Sequence, residues 1–383
     1  MKSQILNNKR ELNATQCLIQ RHLFFVKGFS LIEIMIGLLI GAFAIIVMLQ
    51  VFAFSEGQKR TTTSGSDAQV NGAIALFELK SDIAQSGNGI STQDLLGCEV
   101  SDNNGLIIPK GVLITVAPVT INPKIITGND PNTDTILVMY RNNINGYSLP
   151  EGDPIGSTSS GNQYYVPNPF SFNISETVIA APEYVLTNNN GLCSVFFDTV
   201  QSNSQDVVNV TIGGVTSGKL YNLGLTPMIR AYRIRLGNLE VCDFSNTNDC
   251  HDIVNWRTTV NNVVSLRAEY SVDKNGSYSA TVPTKKYGIQ NVSDSACNLK
   301  NISAVRIVVV ARSNQYDNSD PYDKDSVVTT KNPNWEGEVN SPIELSATVP
   351  NDSSGKWQHY RYTTLETIVP IRSISWAKSS GDC

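Results

Sequence analysis

Few residues in this sequence have the types and spacing that catalysis requires. The chain has three histidines, His22, His251 and His359, and none lies in a recognisable catalytic triad or in an H-E-x-x-H metal motif. For His251 and His359 we expect surface or structural roles. The sequence therefore predicts no enzyme activity, no cofactor and no resident metal ion.

Two clusters do contain residue types that bind metals. Cys242, Cys250 and His251 offer thiolate and imidazole ligands, but zinc sites usually show a tighter C-x(2–4)-C spacing and a second ligand pair. Residues 317–325 gather carboxylate and amide oxygens but lack the central Gly and the closing Glu of an EF-hand loop. We expect a disulfide at the first cluster and a solvated acidic loop at the second, with calcium as the alternative.

Glu33 is the only charged residue in an apolar segment, residues 29–54. At about 1.5 Å per residue, a helix of this length crosses a bilayer core of about 30 Å. The segment is too long for the apolar part of a cleaved secretory signal, and no clear A-x-A site follows it. A plain membrane anchor explains the length but not the carboxylate, which costs about 2.5 kcal/mol or more inside a membrane. Glu33 is therefore expected to have a functional partner.

The string KGFSLIE, Lys27 to Glu33, resembles the class III signal of type IV prepilins. The resemblance implies that a prepilin peptidase cleaves after Gly28 and that Phe29 becomes the N-methylated N-terminus. It also implies that Glu33 neutralises the N-terminal amine of a neighbouring subunit in a filament. Such a pairing is physically reasonable, because buried opposite charges attract strongly at low dielectric and are costly alone.

The charge distribution separates a basic leader from an acidic body. Residues 1–28 carry a net charge of +4, which leaves −9 for the remainder of a chain whose total is −5. The positive-inside rule then predicts a cytoplasmic N-terminus and a periplasmic body, anchored in bacterial inner-membrane lipid. The body has no Lys/Arg cluster, so nucleic-acid binding is not expected.

Six cysteines follow the leader, which itself contains Cys17. In an oxidising periplasm this even number predicts up to three disulfides, although the sequence does not choose among the possible connectivities. Their spacing favours Cys242 with Cys250. The remaining four would then form the pairs Cys98–Cys193 and Cys297–Cys383.

The elements that carry these residues can be predicted from periodicity. The chain has no proline between Phe54 and Pro109, so the helix is expected to continue to Gln85. Its expected sheet-facing stripe consists of apolar and small residues at helical spacing: Val70, Ile74, Phe77, Ser81 and Ala84. From Gly87 onward, short β-type runs are separated by Asn, Gly, Pro and Ser. The predicted strands are 106–108, 112–117, 135–140, 193–198, 207–212, 263–272, 304–312 and 362–374, with a hairpin of 228–236 and 239–242 around Gly237-Asn238.

Four C-terminal strings are similar to those of the PilW minor pilins of type IV pili. They are RAYRIRLGNLEVCDF (230–244), NNVVSLRAEYSVD (261–273), AVRIVVVARS (304–313) and HYRYTTLETIVPIRSISW (359–376). The resemblance implies an α+β, pilin-like fold, in which a long N-terminal helix, half in the membrane and half amphipathic, packs on antiparallel sheet in an enlarged β-rich extracytoplasmic region. The expected organisation is a leader (1–28), a transmembrane helix (29–54), its amphipathic continuation (55–90), a β-rich variable region (91–220) and a PilW-like β-rich domain (221–383).

The function implied by both resemblances is that of a minor pilin, which helps to initiate a pilus or lies at its tip. The implied partners are prepilin peptidase, other minor pilins, the major pilin and a large tip adhesin. One alternative is a minor pseudopilin of type II secretion, similar to its J component, which shares the signal. Another is a membrane-anchored adhesin or binding module that never polymerises; an anchored periplasmic hydrolase is disfavoured because no catalytic constellation is present.

Overall fold

The computed structural model describes residues 28–92, 95–102, 104–141, 159–160, 162–166, 172, 183–189, 193–204, 207–211, 218–245, 249–272, 299, 302–317, 326–336, 342–348 and 356–376. The chain divides into two compact units, Met1–Gln58 and Lys59–Cys383. Cys17, Cys297 and Cys383 lie outside the described residues, as does all of the predicted leader before Gly28.

Helix α1 (Leu31–Gln85) begins in the first unit and ends in the second. Its first part, Leu31–Lys59, is long and apolar enough to cross a membrane, and none of it is buried. An apolar helix without protein contacts is stable in lipid, where every backbone hydrogen bond is made within the helix. The first unit therefore fits a single-pass membrane anchor.

The second unit is rich in short strands. In chain order they are β1 (Glu99–Ser101), β2 (Leu113–Thr115), β3 (Val119–Ile121), β4 (Ile136–Tyr140), β5 (Ser159–Ser160), β6 (Gln163–Tyr165), β7 (Tyr184–Asn189), β8 (Ser194–Ser204), β9 (Val207–Val210), β10 (Gly218–Gly224), β11 (Met228–Arg235), β12 (Asn238–Asp243), β13 (Arg257–Val260), β14 (Val263–Val272), β15 (Ile302–Arg312) and β16 (Tyr362–Pro370). Short helices are α2 (Leu345–Thr348), α3 (Arg372–Trp376) and two 3-10 turns, Ile253–Asn255 and Lys356–His359.

These strands form three sheets. The first has the order β10-β7-β8-β9-β6-β5, with β1 and β2 joined beside β8; the second has the order β13-β12-β11-β4-β3, and the third β14-β15-β16. All pairings are antiparallel except that of β1 with β8. The predicted α+β class, with a long N-terminal helix and an enlarged β-rich region, is confirmed.

The second half of α1 packs with the second and third sheets in one hydrophobic core. The helix contributes small and branched side chains on one face: Ala68, Gly72, Ala75, Leu79 and Ile83. The helix lies close to the sheet at Gly72, where a Cβ atom would be 2.8 Å from Leu365 Cδ1.

The predicted sheet-facing stripe is wrong. Val70, Ile74 and Phe77 are 53%, 50% and 73% exposed, because they lie on the face of α1 opposite the buried one. Large apolar side chains favour a core face in the sequence pattern, but where the helix lies close to the sheet, at Gly72, the buried face has small residues. Large apolar residues therefore lie on both faces, with Leu79 and Ile83 buried and Val70, Ile74 and Phe77 exposed.

Three strand predictions also need correction. The hairpin turn is Leu236-Gly237, one residue earlier than predicted, and strand pairing resumes with Arg235 opposite Asn238. Both turn residues have positive φ, 51° and 69°, as a type I′ turn requires. Residues 106–108 form bends rather than a strand, and β16 ends at Pro370, after which α3 replaces the predicted extension to Ile374.

Two disulfides are present among the described residues, Cys98–Cys193 and Cys242–Cys250, with sequence separations of 95 and 8. The sequence favours the second pairing by spacing, and the first only as one of the pairs that the remaining cysteines would then form. Cys98–Cys193 connects the residue before β1 to the residue before β8, so it fixes the parallel pair that these strands form. Cys242–Cys250 closes the loop after β12, and Trp256 Nε1 donates to the Cys250 carbonyl at 2.7 Å.

Removing the two disulfides is expected to have unequal effects on stability. In the chain-entropy model, the Cys98→Ala/Cys193→Ala double variant loses about 4.7 kcal/mol and the Cys242→Ala/Cys250→Ala variant about 2.5 kcal/mol, because the first bridge closes a longer loop. Denaturant unfolding of the full chain in detergent, followed by tryptophan fluorescence, measures both values. A larger loss for the short loop would contradict the entropic account and indicate that burial of Cys242 and Cys250 dominates.

Candidate functional site

The start of α1 brings together the residues that the sequence singles out for processing and assembly. Gly28, Phe29 and Ser30 precede the helix and are exposed, and no described residue lies within 4 Å of a Cβ placed on Gly28. Phe29 is 77% exposed, so its side chain is not part of the core that the described residues form.

Glu33 lies in the first turn of α1. The Ser30 carbonyl accepts hydrogen bonds from the amides of Glu33 and Ile34 at 2.9 and 3.1 Å, so Ser30 is the N-cap residue. A carboxylate in the first turn is favourable for the helix dipole, which gives Glu33 a local role in addition to any intermolecular one. Among the described residues, Glu33 has no ion-pair partner, so its charge is available to a neighbouring chain.

A cluster of polar side chains holds the last turn of α1 against the second sheet. Asp82 is buried; its Oδ1 accepts a hydrogen bond from Tyr140 Oη at 3.1 Å, and its Oδ2 accepts from Tyr232 Oη at 2.6 Å and from Arg230 Nη1 at 3.1 Å. Arg230 also binds Asp243 through Nε and, at 3.2 Å, through Nη2. These five residues are called the Asp82 cluster below.

Strand geometry explains why the Asp82 cluster converges. Arg230 and Tyr232 are two residues apart on β11 and therefore face the same side of the sheet. Tyr140 ends the neighbouring β4, opposite Met228, and Asp243 ends β12, opposite Arg230. The cluster thus connects α1 to three adjacent strands.

The electrostatics of the Asp82 cluster keep its donors protonated. Burial raises the pKa of Tyr140 and Tyr232, and the negative charge of Asp82 raises it further. For Arg230, burial alone would lower the pKa, but the hydrogen bond to Asp243 and the charge of Asp82 outweigh burial and raise it. All three side chains therefore keep their protons and remain hydrogen-bond donors.

A second contact holds the residues just after α1. Ser373 on α3 donates through Oγ to the Ser86 carbonyl at 2.9 Å, and Ser91 Oγ is 3.0 Å from Ser373 Oγ. Gly87 lies between them with φ of +80°, a conformation that an L-residue adopts only with strain.

Gly87→Ala is expected to destabilise the chain by about 3 kcal/mol, because left-handed strain and overpacking add. An added Cβ would overlap Ser373 Oγ and Ser91 Oγ and would lie 2.8 Å from Pro118 Cγ. Gly111→Ala is the matched control, since Gly111 has φ of +86° and open space around it, and should cost only about 1 kcal/mol. Equal losses for the two variants in denaturant unfolding would show that packing around Gly87 contributes nothing.

The residues considered for metal binding have other roles here. Cys242 and Cys250 are disulfide-bonded, and His251 is exposed. His359 stacks on Tyr316 with ring centroids 4.4 Å apart. Within the described part of the chain, no group of three or more His, Cys, Asp or Glu side chains could hold a metal ion. Of the acidic segment 317–325 only Asp317 is described, and it pairs with Arg361 at 3.1 Å.

The Asp82 cluster was not predicted from the sequence. A signal was present, because Asp82 has the helical spacing of Ala75 and Leu79 and interrupts an otherwise uncharged face. The alternating RAYRIR segment offers Arg230 and Tyr232 on one side of a strand. The sequence pattern does not say which face of the strand contacts which face of the helix, because this contact joins residues that are far apart in sequence.

The comparisons with known proteins give one result. The family model described as Type IV Pilus-assembly protein W matches residues 244–373, about a third of the chain. The matched segment starts just after β12 and includes the whole third sheet and the start of α3. No curated protein and no solved structure matches the chain. Through residues 244–373, the chain is similar to a pilus-assembly family.

Proposed function

We propose that this chain is a minor pilin, which helps to initiate a type IV pilus or lies at its tip after prepilin peptidase has cleaved after Gly28. The observation that carries the proposal is the presence of two separate features in one chain. A prepilin-like KGFSLIE string includes the first residues of a membrane-length helix, and a pilus-assembly family matches a segment near the other end. Neither feature depends on the other.

The chemistry of the N-terminal segment fits this role. Cleavage would create an α-amine on Phe29, four residues before Glu33, and the peptidase would methylate it. In an assembled pilus the Glu33 carboxylate would neutralise the amine of an adjacent subunit. The open surroundings of Gly28 and the lack of an ion-pair partner for Glu33 among the described residues support both steps.

The proposed location is the inner membrane, with the second unit in the periplasm before assembly. The proposed partners are prepilin peptidase, other minor pilins, the major pilin and a large tip adhesin. A second unit that extends from Lys59 to Cys383 is bulky for the repeating position of a thin filament but fits at its tip. No enzymatic role is proposed, because no catalytic group of residues was found in the sequence.

A topology reporter tests the proposed location. An enzyme that is active only in the periplasm, fused after residue 90, is expected to be active, because the basic leader favours a cytoplasmic N-terminus. A stable fusion without activity would contradict the orientation.

A deletion strain tests the function. Loss of the gene is expected to reduce or abolish surface pili and to leave type II secretion unchanged. The opposite result, normal pili with impaired secretion, would favour the minor pseudopilin, which shares the N-terminal signal. A strain normal in both would favour the anchored adhesin or binding module.

A further inference from the structure

Strand β16 lies at one edge of the third sheet and pairs with β15 along its whole length. Just before and just after this ladder, the Ser313 amide donates to the Arg361 carbonyl at 2.8 Å and the Ile371 amide donates to the Ser303 carbonyl at 3.0 Å. No register shift occurs between these two bonds. In an antiparallel pair, every second residue therefore bonds to the partner strand.

This alternation between odd-numbered and even-numbered residues, called the parity of the strand below, determines which backbone groups of β16 point outward. The odd-numbered residues direct their N–H and C=O groups to β15, and the even-numbered residues direct theirs away from the sheet. Thr364, Glu366 and Ile368 thus present three N–H and three C=O groups at the edge. None of these groups has a hydrogen-bond partner in the part of the chain that the structure describes.

The opposite edge of the same sheet is covered. By the same parity, Leu266 and Ala268 of β14 point outward. The Leu266 carbonyl accepts from the Asp134 amide at 2.8 Å, and the Ala268 amide donates to Asp134 Oδ2 at 3.0 Å. One edge of this sheet is therefore covered by the chain itself, while the other has no pairing strand among the residues that the structure describes.

Strand β16 also lacks most of the features by which proteins usually protect an edge, although it carries one charged residue, Glu366. Such features are short strands, bulges, lysines and internal prolines. β16 has nine residues and a regular register, and it contains no Lys or Arg; its proline is the last residue, Pro370. By contrast, the edge strand β13 has four residues, and its pairing with β12 contains a register shift. Thr and Ile dominate the open part of β16 and favour extended pairing.

We propose that the edge of β16 docks an extended strand from a pilin-class subunit other than a copy of this chain, and that this strand continues the third sheet. This inference rests on the proposed function, which places such subunits in the same membrane. A row of N–H and C=O groups that repeats every second residue is satisfied by a strand and not by a helix. A single strand pair is a small interface, but subunits anchored side by side have a high effective concentration and need little further affinity.

The side chains of β16 indicate the chemistry of the docked strand. Glu366 is paired with the buried Arg306 at 3.2 Å, so the partner does not need to supply a cation there. An acidic residue directly opposite would be disfavoured by repulsion. The partner strand thus has no carboxylate opposite Glu366.

Amide hydrogen exchange of the full chain tests the parity directly. The probe is the chain in detergent at low concentration, compared with the complex that a tag on this chain recovers from piliated cells. In the isolated chain, the amides of Thr364, Glu366 and Ile368 should exchange fast and those of Thr363, Leu365 and Thr367 slowly. In the complex, the first three should slow by roughly 100-fold, with little change in the others.

Several outcomes would overturn the docking proposal. Slow exchange of the outward amides in the isolated chain would mean that another part of this chain covers the edge. Protection that appears in the isolated chain only at high concentration would assign the edge to a second copy. A recovered complex that contains no pilin-class subunit would also exclude the proposal. So would a complex that contains such a subunit but does not slow exchange of the outward amides of β16.

A matched pair of variants gives a second test. Thr364→Pro removes an outward N–H that the ladder with β15 does not use, whereas Thr364→Val keeps this N–H. We expect Thr364→Pro to weaken association with the pilin-class subunit roughly tenfold or more and Thr364→Val to leave it unchanged. Equal affinities of the Thr364→Pro and Thr364→Val chains for the pilin-class subunit would contradict the proposal. If Thr364→Pro does not fold, Ile368→Pro removes another outward N–H of the same edge.

Failure of this inference can be separated from failure of the proposed function. A deletion strain with normal pili would exclude the minor pilin role itself. A deletion strain without pili that regains them fully with the folded Thr364→Pro chain would exclude only the docking strand.

Discussion

Replacing Glu33 with Val is expected to leave the chain cut after Gly28 but unable to support surface pili, whereas Gly28→Val is expected to leave it uncut. Glu33→Val removes an intramembrane charge, so insertion of the helix should become easier rather than harder. What it removes is the countercharge for the amine of a neighbouring subunit. Gly28→Val acts earlier, because a bulky side chain prevents the peptidase from closing on the backbone. Immunoblot size and pilus counts in a strain lacking the wild-type copy measure both effects.

The surroundings of these residues make the processing test specific. A side chain added at Gly28 meets no described residue within 4 Å, so Gly28→Val should not disturb the fold that the structure describes. Gly37 in α1 is equally open, and Gly37→Val is a matched control that should be cut normally. Uncut wild-type protein would exclude the pilin assignment. A cut Glu33→Val chain with normal pili would exclude only the charge-pairing role, and Glu33 would then serve the helix dipole alone.

Asp82→Ala is expected to destabilise the second unit by about 3–5 kcal/mol, the usual loss when one partner of a buried ion pair is removed. Arg230 is only 17% exposed and would retain Asp243, but Tyr140 and Tyr232 would lose their buried acceptor. Asp82→Asn keeps an acceptor and removes the charge, so its loss should be smaller, about 1–3 kcal/mol. Denaturant unfolding of the full chain in detergent, followed by tryptophan fluorescence, measures these differences.

Asp67 provides the control on the same helix. It precedes the buried Ala68 and is itself partly exposed, so Asp67→Ala should change stability by no more than about 0.5 kcal/mol. A similar small loss for Asp82→Ala would show that the Asp82 cluster does not hold α1 on the second sheet.

Local patterns predicted the elements of this fold better than their contacts. The end of α1 at Gln85 and strands such as β4, β14 and β15 follow from periodicity, because helix and strand patterns depend on near neighbours in sequence. The turn of the β11–β12 hairpin was predicted one residue too late in the sequence. The Gly-Asn pair indicated a turn but not that Leu236 would have a positive φ. The buried face of α1 could not be deduced from apolar size, since close packing at Gly72 selects small residues.

The N-terminal part of the candidate site could be predicted from the sequence, whereas the Asp82 cluster could not. Gly28, Phe29 and Glu33 lie within six residues, so a short motif contains them completely. The Asp82 cluster joins residues up to 161 positions apart, from Asp82 to Asp243, and no short motif can contain them. The outward parity of β16 likewise depends on its register with β15, which is known only once the sheet is built.

The contacts between Ser86, Ser91 and Ser373 also have a consequence for biosynthesis. They join residues 282 to 287 positions apart, so the helix is made first and its final contacts are made last. During N-to-C-terminal synthesis, the apolar face of α1 at Leu79 and Ile83 must wait for β14–β16 before it is covered. Folding with such high contact order is slow, and an exposed apolar face invites aggregation in the interval. We therefore expect truncated or stalled chains that end before residue 362 to depend on chaperones and to be degraded rapidly.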